Sequence, residues 1–386
     1  MDFELAEEDR MLKELVHKFV RAELMPLEPK ALAREHEGSG LALDAADHAR
    51  IDEVSKKLGL WGLDAPTDIG GMDLPNVALV GVNEEMGHTI TPYTLPPDSP
   101  NLRMLMTTVN ERQRTAYLEP YVRGDTISAI AASEPGAGSD PAALITRAER
   151  DGDDWVINGR KIWTSRAADA DFTIVMARTG KEKRGAISAF LVDKGTPGFE
   201  VLRRIPMIGG MTTYEVVFED CRIEGWKLLG KEGAGFAPMQ LRFGTRRVQM
   251  ASWAVGLAQR ALSMMCEYAP QRVTFGVPLS ERGVIQGWVS DAATKIHAAR
   301  LMTYDCAVKL DKGQEARGEI SMIKAFAVEM AWEIVDHAMQ MYGAMGMTKE
   351  VPLQLMANRL RTMRIYDGPT EVHQWVIARN LLGTKR

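Results

Sequence analysis

The sequence predicts an α+β fold in which a β-rich middle part separates two helical parts. Apolar residues recur every three or four positions in residues 11–19, as on one face of a helix. In residues 172–176 and similar runs the chain is β-branched or aromatic, and the period falls toward two. Helical periodicity then returns over long stretches, which suit a four-helix bundle. We expect an N-terminal α-helical domain, a middle antiparallel β domain and a C-terminal four-helix bundle, at residues 1–123, 124–231 and 232–386.

Stretches rich in loop-forming residues interrupt the predicted helices. A second helical run lies around residues 79–82, and the Gly-, Pro- and Asp-rich stretches 64–74 and 92–101 are expected to be loops. The last third predicts three long helices, over about residues 248–268, 284–310 and 320–341.

The middle part contains several predicted strands and one predicted hairpin. Strand-like runs lie at residues 172–176, 189–192 and 215–218. Residues 155–165 alternate apolar and polar side chains around Asn158-Gly159, a pair typical of two-residue hairpin turns. We therefore expect a β-hairpin at this pair.

Composition limits the class of protein. The chain has 386 residues, 45% hydrophobic and 26% charged, which is ordinary for a soluble protein of two or three domains. A net charge of -5 and a pI near 5.9 argue against a nucleic-acid surface, and no run of ~20 apolar residues predicts a membrane span. Cys221, Cys266 and Cys306 lack metal-like spacing, so we expect buried thiols in a reducing compartment and no metal site. The acidic N-terminus resembles neither a secretory signal nor a transit peptide, so we expect a cytoplasmic protein.

Near the C-terminus, Asp367 and Gly368 precede a helix that Pro369 is expected to start. One interpretation is local: the pair forms a turn and the carboxylate caps free N–H groups. The other is that a short carboxylate beside a flexible turn serves as a general base. This motif alone favours the turn.

Two further segments favour a ligand site. Residues 133–140, Ser-Glu-Pro-Gly-Ala-Gly-Ser-Asp, combine small residues, hydroxyls and carboxylates, as expected where backbone approaches a ligand closely. Trp163 stands beside Thr164 and Ser165. An indole with neighbouring hydroxyls could stack against a planar ring and bond its edge, although an ordinary core Trp fits equally well.

These segments, with Arg272-Val273-Thr274-Phe275-Gly276 and Gln340-Met341-Tyr342-Gly343-Ala344-Met345-Gly346, resemble the acyl-CoA dehydrogenase family essentially end to end. The Glu-Pro-Gly-Ala-Gly-Ser-Asp loop followed by the Asn-Gly segment is the most specific part. The resemblance implies the α, β, α order expected above and FAD as cofactor. It also implies a reaction in which a carboxylate removes the α proton of an acyl-CoA thioester and a hydride passes from the β carbon to flavin N5, giving a 2,3-enoyl-CoA.

The resemblance places Asp367 at the position of the family's catalytic base, which is Glu in most members. An Asp carboxylate reaches on the order of 1.5 Å less, so either the pocket is rebuilt around a shorter base or the reaction differs. Some members carry the base instead as a Glu before an Arg on the first long helix of the bundle. Here that pair is Arg246-Arg247, which leaves Asp367 as the candidate. Arg247 matches an arginine near the CoA pantetheine, whereas Arg246 is an added cation that also fits a solvated helix face.

The other expected substrate and FAD contacts lie on several segments. Ser133 would lie at the isoalloxazine edge, Ser139 would touch both FAD and CoA, and Trp163 and Ser165 would close one face of the ring. Arg272 and Phe275 resemble a segment that reaches the pyrophosphate and adenosine of a neighbouring subunit's FAD, which implies an oligomer. Further FAD contacts are expected from Gln286, Gln340, Gly343, Pro369 and Glu371, and further substrate contacts from Phe243 and Gly368.

The sequence departs from the common family pattern in some positions. Gly283 stands where a Gln commonly contacts FAD, and only Gln286 remains in that segment. Gly283 and the motif from Tyr366 to His373 are similar to the branch around acyl-CoA dehydrogenase family members 10 and 11. His373 lies six residues after Asp367, so we expect it on a different side of the helix, as a cap or packing residue.

Two alternatives to dehydrogenation stay open. Nitroalkane oxidase, a relative on the same fold, uses an Asp with an Arg seven residues later, where this chain has Gln374. A flavoprotein that binds acyl-CoA with little turnover is the other. The dehydrogenase hypothesis implies electron transfer flavoprotein as electron acceptor, a homo-oligomer that is most often a homotetramer, and a role in fatty acid β-oxidation.

Overall fold

The computed structural model describes residues 5–38, 40–182 and 185–383. The first four residues of the predicted N-terminal helical domain therefore lie outside the described residues. Within the described ranges the elements follow the expected α, β, α order.

The N-terminal part packs its helices around one apolar cluster. The first helix buries Val16 and Phe19 and places acidic residues in its first turn and basic ones in its last, which suits the helix dipole. The 64–74 stretch is mostly loop, as expected, whereas the second predicted loop ends in a helix from Ser99. The helices are α1 Glu7–Phe19, α2 Glu28–His36, α3 Ala45–Lys57, α4 Asn76–Met86, α5 Ser99–Met106, α6 Glu111–Gln113 and α7 Glu119–Arg123.

The middle part is one twisted sheet with its side chains shared between two apolar clusters. The strands are β1 Ser128–Ala131, β2 Arg147–Asp151, β3 Asp154–Thr164, β4 Phe172–Arg178, β5 Ile187–Asp193, β6 Phe199–Pro206, β7 Thr212–Ile223 and β8 Leu228–Leu229. They run in the order β6-β7-β3-β2-β4-β5-β8, with β1 beside β4. Most neighbours are antiparallel as predicted, but β1 and β2 pair with β4 in parallel.

The predicted hairpin at Asn158-Gly159 is wrong. β3 runs through this pair without turning, and the chain reverses instead between Asp151 and Asp154, where Gly152 has a left-handed φ of 64°. Gly159 has a positive φ of 152°, which residues with a Cβ rarely adopt, and it lies beside a register shift in the pairing of β3 with β7. A Cβ there would lie 2.4 Å from Thr146 Oγ1. The glycine therefore permits close approach of two chain segments and makes no turn.

The C-terminal part is a bundle of long helices joined by short connections. Its core is rich in alanine, which lets α8 pack closely against its neighbours. A small hairpin of β9 Val273–Thr274 and β10 Val277–Pro278 precedes the second long helix. The helices are α8 Phe236–Tyr268, α9 Gly283–Asp311, α10 Arg317–Tyr342, α11 Leu353–Met363 and α12 Thr370–Leu382. None of the helices in the described ranges is long and apolar enough to cross a membrane.

Candidate active site

Asp367 and Gly368 form a left-handed turn between α11 and α12, with φ angles of 52° and 100°. A non-glycine residue in this region is strained and persists only where its surroundings hold it. Arg247 Nε donates to the Asp367 carbonyl oxygen at 2.8 Å, and Lys324 Nζ donates to the Gly368 carbonyl oxygen at 2.6 Å. α12 has no side-chain cap, so the interpretation of Asp367 as a helix cap is wrong.

The carboxylate of Asp367 faces α8 and is paired with Arg242. Arg242 Nη1 lies 3.2 Å from Asp367 Oδ1, and both side chains are almost buried. Arg242 Nε donates to Asn101 Oδ1 at 3.1 Å, which anchors the guanidinium to α5. The sequence analysis missed Arg242, although its spacing of four from Arg246 places the two on one face of a helix.

Arg246 is mostly buried and is paired, so a solvated helix face does not describe it. Its Nη2 lies 2.5 Å from Asp98 Oδ1. Burial alone raises the pKa of the Asp98 carboxyl, but the charges of Arg246, Arg242 and Arg166 outweigh burial and lower that pKa. Arg166, which directly follows Ser165 just beyond the end of β3, is the third arginine whose charge acts on this carboxyl.

Two more titratable residues lie beneath the turn. Burial lowers the pKa of the Lys324 ammonium to about 8, although the charge of Asp367 opposes this shift. Burial and the charges of Arg247 and Lys324 lower the pKa of His373 to about 3, so its imidazole is neutral near pH 7. His373 Nε2 lies 3.3 Å from the Asp367 carbonyl oxygen. The expectation that His373 lies on a different side from the base is wrong, because Asp367 precedes α12 and the ring reaches back to it.

On the middle domain, a buried ion pair joins the glycine-rich loop to β3. Lys161 Nζ lies 2.8 Å from Glu134 Oε1, and the carboxylate of Glu134 also accepts hydrogen bonds from the N–H groups of Ile145 and Thr146. The Ile162 N–H donates to the Ser133 carbonyl oxygen at 3.0 Å. These bonds set Ser133 beside the strand that carries Trp163. Sequence reasoning found the loop but missed the pair that fixes it.

Trp163 is not a core residue. Its side chain is 51% exposed, and its φ of 62° is left-handed. The hydroxyls of Ser133, Ser139 and Ser165 have no hydrogen-bond partner in the described part of the chain. An exposed indole face with free hydroxyls nearby fits the demands of a flat, polar-edged ring such as a flavin.

The remaining predicted FAD residues are not brought into this group. Phe275, at the tip of the small hairpin, is 100% exposed with a left-handed φ of 50°. Gln286 is exposed and donates to the Ser280 carbonyl oxygen. Arg272, Gln340 and Gly343 are also exposed, and Pro369 and Glu371 directly follow the Asp367 turn. Phe243, a predicted substrate contact, lies half-buried between Arg242 and Arg247.

Comparison with known proteins agrees with this arrangement. The acyl-CoA dehydrogenase N-terminal domain matches residues 6–125, the middle domain 129–221 and the C-terminal domain 233–382. The chain belongs to the acyl-CoA dehydrogenase family. This confirms the predicted resemblance and fold, and makes the chain an oxidoreductase of that family.

Two relatives match almost the whole chain. (R)-Benzylsuccinyl-CoA dehydrogenase of Thauera aromatica is 39% identical over 99% of this chain and 97% of that protein. The mitochondrial short-chain specific acyl-CoA dehydrogenase of Homo sapiens is 34% identical over 99% of this chain and 92% of that protein.

Solved structures share the family fold throughout. A chain of the structure described as electron transferring flavoprotein of Acidaminococcus fermentans has a TM-score of 0.89 and 31% identity, covering 100% of both chains. The FAD complex of PigA has a TM-score of 0.88 and 26% identity, covering 99% of both chains.

Proposed function

We propose that this chain catalyses the α,β-dehydrogenation of an acyl-CoA thioester to the 2,3-enoyl-CoA, with Asp367 as the base that removes the α proton. The observation that carries the proposal is the geometry of Asp367. Its carboxylate is paired with Arg242 of α8 and its backbone is fixed in a strained turn, as expected of a reacting group.

The Asp367 backbone can also serve the reaction. Within the described residues, its N–H group has no hydrogen-bond acceptor. A free N–H group beside the base is suited to donate to the thioester oxygen, where negative charge develops as the α proton leaves. Arg247 and Lys324 contribute by holding the two carbonyl groups of the turn, so that the N–H group and the carboxylate keep their relative positions.

FAD is the cofactor, as predicted. The family membership, the similarity to the FAD complex of PigA and the exposed Trp163 with its neighbouring hydroxyls support this assignment. When bound, FAD supplies the acceptor for the β hydride. Ser133, Ser139, Trp163 and Ser165 would hold its ring system.

The partners follow from the same proposal. Electron transfer flavoprotein is the proposed electron acceptor, which the similarity to the Acidaminococcus fermentans structure supports. Phe275 is fully exposed, and in a homo-oligomer it would be covered by the neighbouring subunit's FAD. The homotetramer, the cytoplasmic location and the role in β-oxidation stay predictions.

The relatives differ in the acyl group that their names contain. One name contains a benzylsuccinyl group, which as a thioester carries an aromatic ring and a free carboxylate, and the other refers to short acyl chains. The substrate panel in any test must therefore include both kinds.

An anaerobic titration of the purified holoenzyme, followed by its visible spectrum, tests the proposal. Straight, branched, aromatic and carboxylated acyl-CoAs are added in turn. We expect bleaching of the oxidised flavin band by at least one of them. A band that shifts without bleaching for every member would contradict dehydrogenation and favour the acyl-CoA-binding flavoprotein with little turnover.

One observation favours the oxidase alternative. The chain lacks an Arg seven residues after its Asp, but Arg242 reaches Asp367 from α8 and could organise the carboxylate in the same way. An assay in air distinguishes the two functions, because a nitroalkane oxidase consumes nitroalkane and oxygen and releases hydrogen peroxide. Peroxide formation from a nitroalkane, without any bleaching by acyl-CoAs, would replace the dehydrogenase proposal.

A further inference from the structure

The wall of the site around Asp367 carries more positive than negative charge. Arg242 faces Asp367 at 3.2 Å and Arg246 faces Asp98 at 2.5 Å, so these two pairs balance. Arg247, whose Nε binds only a carbonyl oxygen of the turn, adds a positive charge. When Asp367 takes a proton from a substrate, the negative charge moves to the thioester, and Arg242 then faces a neutral acid. An anionic group of the substrate beside Arg242 would offset the cost of holding this nearly buried cation.

Arg242 and Arg246 also have N–H donors that are not used in hydrogen bonds. Arg242 uses Nε and Nη1, and Arg246 uses Nη1 and Nη2. In the part of the chain that the structure describes, Arg242 Nη2 and Arg246 Nε have no acceptor. A guanidinium presents five N–H donors in a planar fork that suits a carboxylate.

The position of Arg242 limits where an anion could stand on the substrate. A base oxygen approaches the reacting carbon to about 3–3.5 Å, and Arg242 Nη1 lies 3.2 Å from the Asp367 oxygen. A charged N–H···O bond adds about 2.8 Å. Arg242 therefore lies close enough to Asp367 for a substrate whose α carbon stands at Asp367 to present a nearby carboxylate to the guanidinium, as a succinyl or glutaryl skeleton would.

We propose that Arg242, with Arg246 beside it, binds a second, free carboxylate on the acyl group of the substrate. The inference rests on the proposed function, because it names the substrate class of the same site. The substrate carboxylate draws the Arg242 guanidinium away from Asp367, which frees the carboxylate oxygen for the α proton. With a neutral acyl chain, Arg242 stays paired with the Asp367 carboxylate, so the carboxylate oxygen is not free to accept the α proton.

Binding and flavin reduction by matched ligand pairs test this subsite in the holoenzyme. Benzylsuccinyl-CoA and glutaryl-CoA are each compared with their methyl monoester in anaerobic flavin bleaching. Glutaconyl-CoA, the enoyl product of glutaryl-CoA, and its methyl ester are compared by calorimetric titration, which gives affinities without turnover.

The variants are Arg242→Gln, Arg242→Lys and, as a control, Arg10→Gln at an exposed position of α1. We expect the wild-type enzyme to bind the free acid on the order of 100-fold more tightly than the ester. Arg242→Gln should reduce this preference to a few-fold, Arg242→Lys should keep part of it, and Arg10→Gln should keep all of it. Because acid and ester are measured in the same variant, a general loss of folding lowers both affinities and leaves their ratio informative.

The outcomes separate the subsite from the proposed function. Equal affinity for acid and ester in the wild-type enzyme would overturn the subsite, as would an unchanged preference in Arg242→Gln. Bleaching by neutral acyl-CoAs and esters, but by no carboxylated acyl-CoA, would overturn it while leaving the dehydrogenase intact. Absence of bleaching by every ligand would contradict the dehydrogenase, and the calorimetric ratio would still decide whether the carboxylate is recognised.

Discussion

At the scale of single residues, the site depends on contacts between distant parts of the chain. Asp367 became the candidate base through the family resemblance, because its local motif alone favours a turn. Its partner Arg242 was missed because 125 residues separate the two, and the sequence near Asp367 does not indicate that an arginine of α8 contacts it. The same holds for Lys161 and Glu134, which are 27 residues apart and meet only when the loop folds onto β3. Motifs and the resemblance predict a candidate base, whereas its electrostatic partners can be read only from the fold.

Lys324 makes a prediction about stability and pH. Burial lowers the pKa of its ammonium in the folded chain to about 8, from an ordinary value of 10.5. Between these values the unfolded chain binds more protons, so the free energy of unfolding rises with pH in that window. Lys161, whose pKa burial also lowers to about 8, adds to the rise. We expect Lys324→Met to make the rise between pH 8 and about 10 smaller.

Urea unfolding at several pH values between 7.5 and 10 measures this effect. The control is Lys312→Met, at an exposed position after α9, which should leave the rise unchanged. Charges that face Lys324, those of Asp367, Arg247, Glu329 and Glu371, stay in place in both variants. A rise in Lys324→Met as steep as in the wild-type chain would show that Lys324 titrates normally in the folded state.

At the scale of elements, periodicity predicted the long helices well and one strand badly. α9 and α10 lie within a few residues of their predicted bounds. α8 begins about three turns earlier than predicted, because its first part carries Arg242 and Arg246 toward the site and so lacks a simple apolar stripe. The strand β3 was predicted as a hairpin because Asn-Gly is the strongest turn pair in sequence. The close approach of Gly159 to Thr146 is a tertiary contact, which no neighbouring residue in the sequence indicates.

Gly159 supplies the test at this scale. A Cβ at this position would lie 2.4 Å from Thr146 Oγ1 and 2.7 Å from Thr146 Cα. Gly159→Ala must therefore push β3 away from residue 146, where the backbone N–H also binds Glu134. We expect a loss of about 1–3 kcal/mol in the free energy of unfolding, measured by urea denaturation.

The matched control is Gly287→Ala on α9, where no atom lies within 4 Å of the added Cβ. It should be neutral or stabilising, since alanine is the better helix former. A Gly159→Ala chain as stable as the wild type would mean that the two segments can separate at no cost, which would contradict the close-approach role given to Gly159.

At the scale of the whole molecule, the α, β, α order came directly from changes in hydrophobic period, and the family comparisons agree with it. Assembly could not be derived in this way. Apolar side chains that are exposed on the single chain include Phe275, Val273 and Val284, near the start of α9. A surface of this kind is typical of a site that a partner or ligand covers, which fits the proposed oligomer.

Phe275 tests whether FAD is held between subunits. Its side chain is fully exposed, and Arg282 lies 6.0 Å from the ring centre in a cation–π interaction, so its removal should not disturb the fold of the chain. We expect Phe275→Ala to lower FAD retention by at least about tenfold with unchanged far-ultraviolet circular dichroism. Met11→Ala, at an exposed position of α1, is the control and should retain FAD. Full FAD retention in Phe275→Ala would remove Phe275 from the cofactor site.

The central claim is that Asp367 removes the α proton, and the rate of anaerobic flavin reduction in Asp367→Asn tests it most directly. The amide keeps the shape of the side chain but cannot accept the proton. Asp336→Asn, at an exposed position of α10, is the matched control. With an acyl-CoA that bleaches the wild-type enzyme, we expect Asp367→Asn to bind FAD and ligand while flavin reduction slows by a factor of about 100 to 10,000. Reduction at the wild-type rate in Asp367→Asn would contradict the account and require another base.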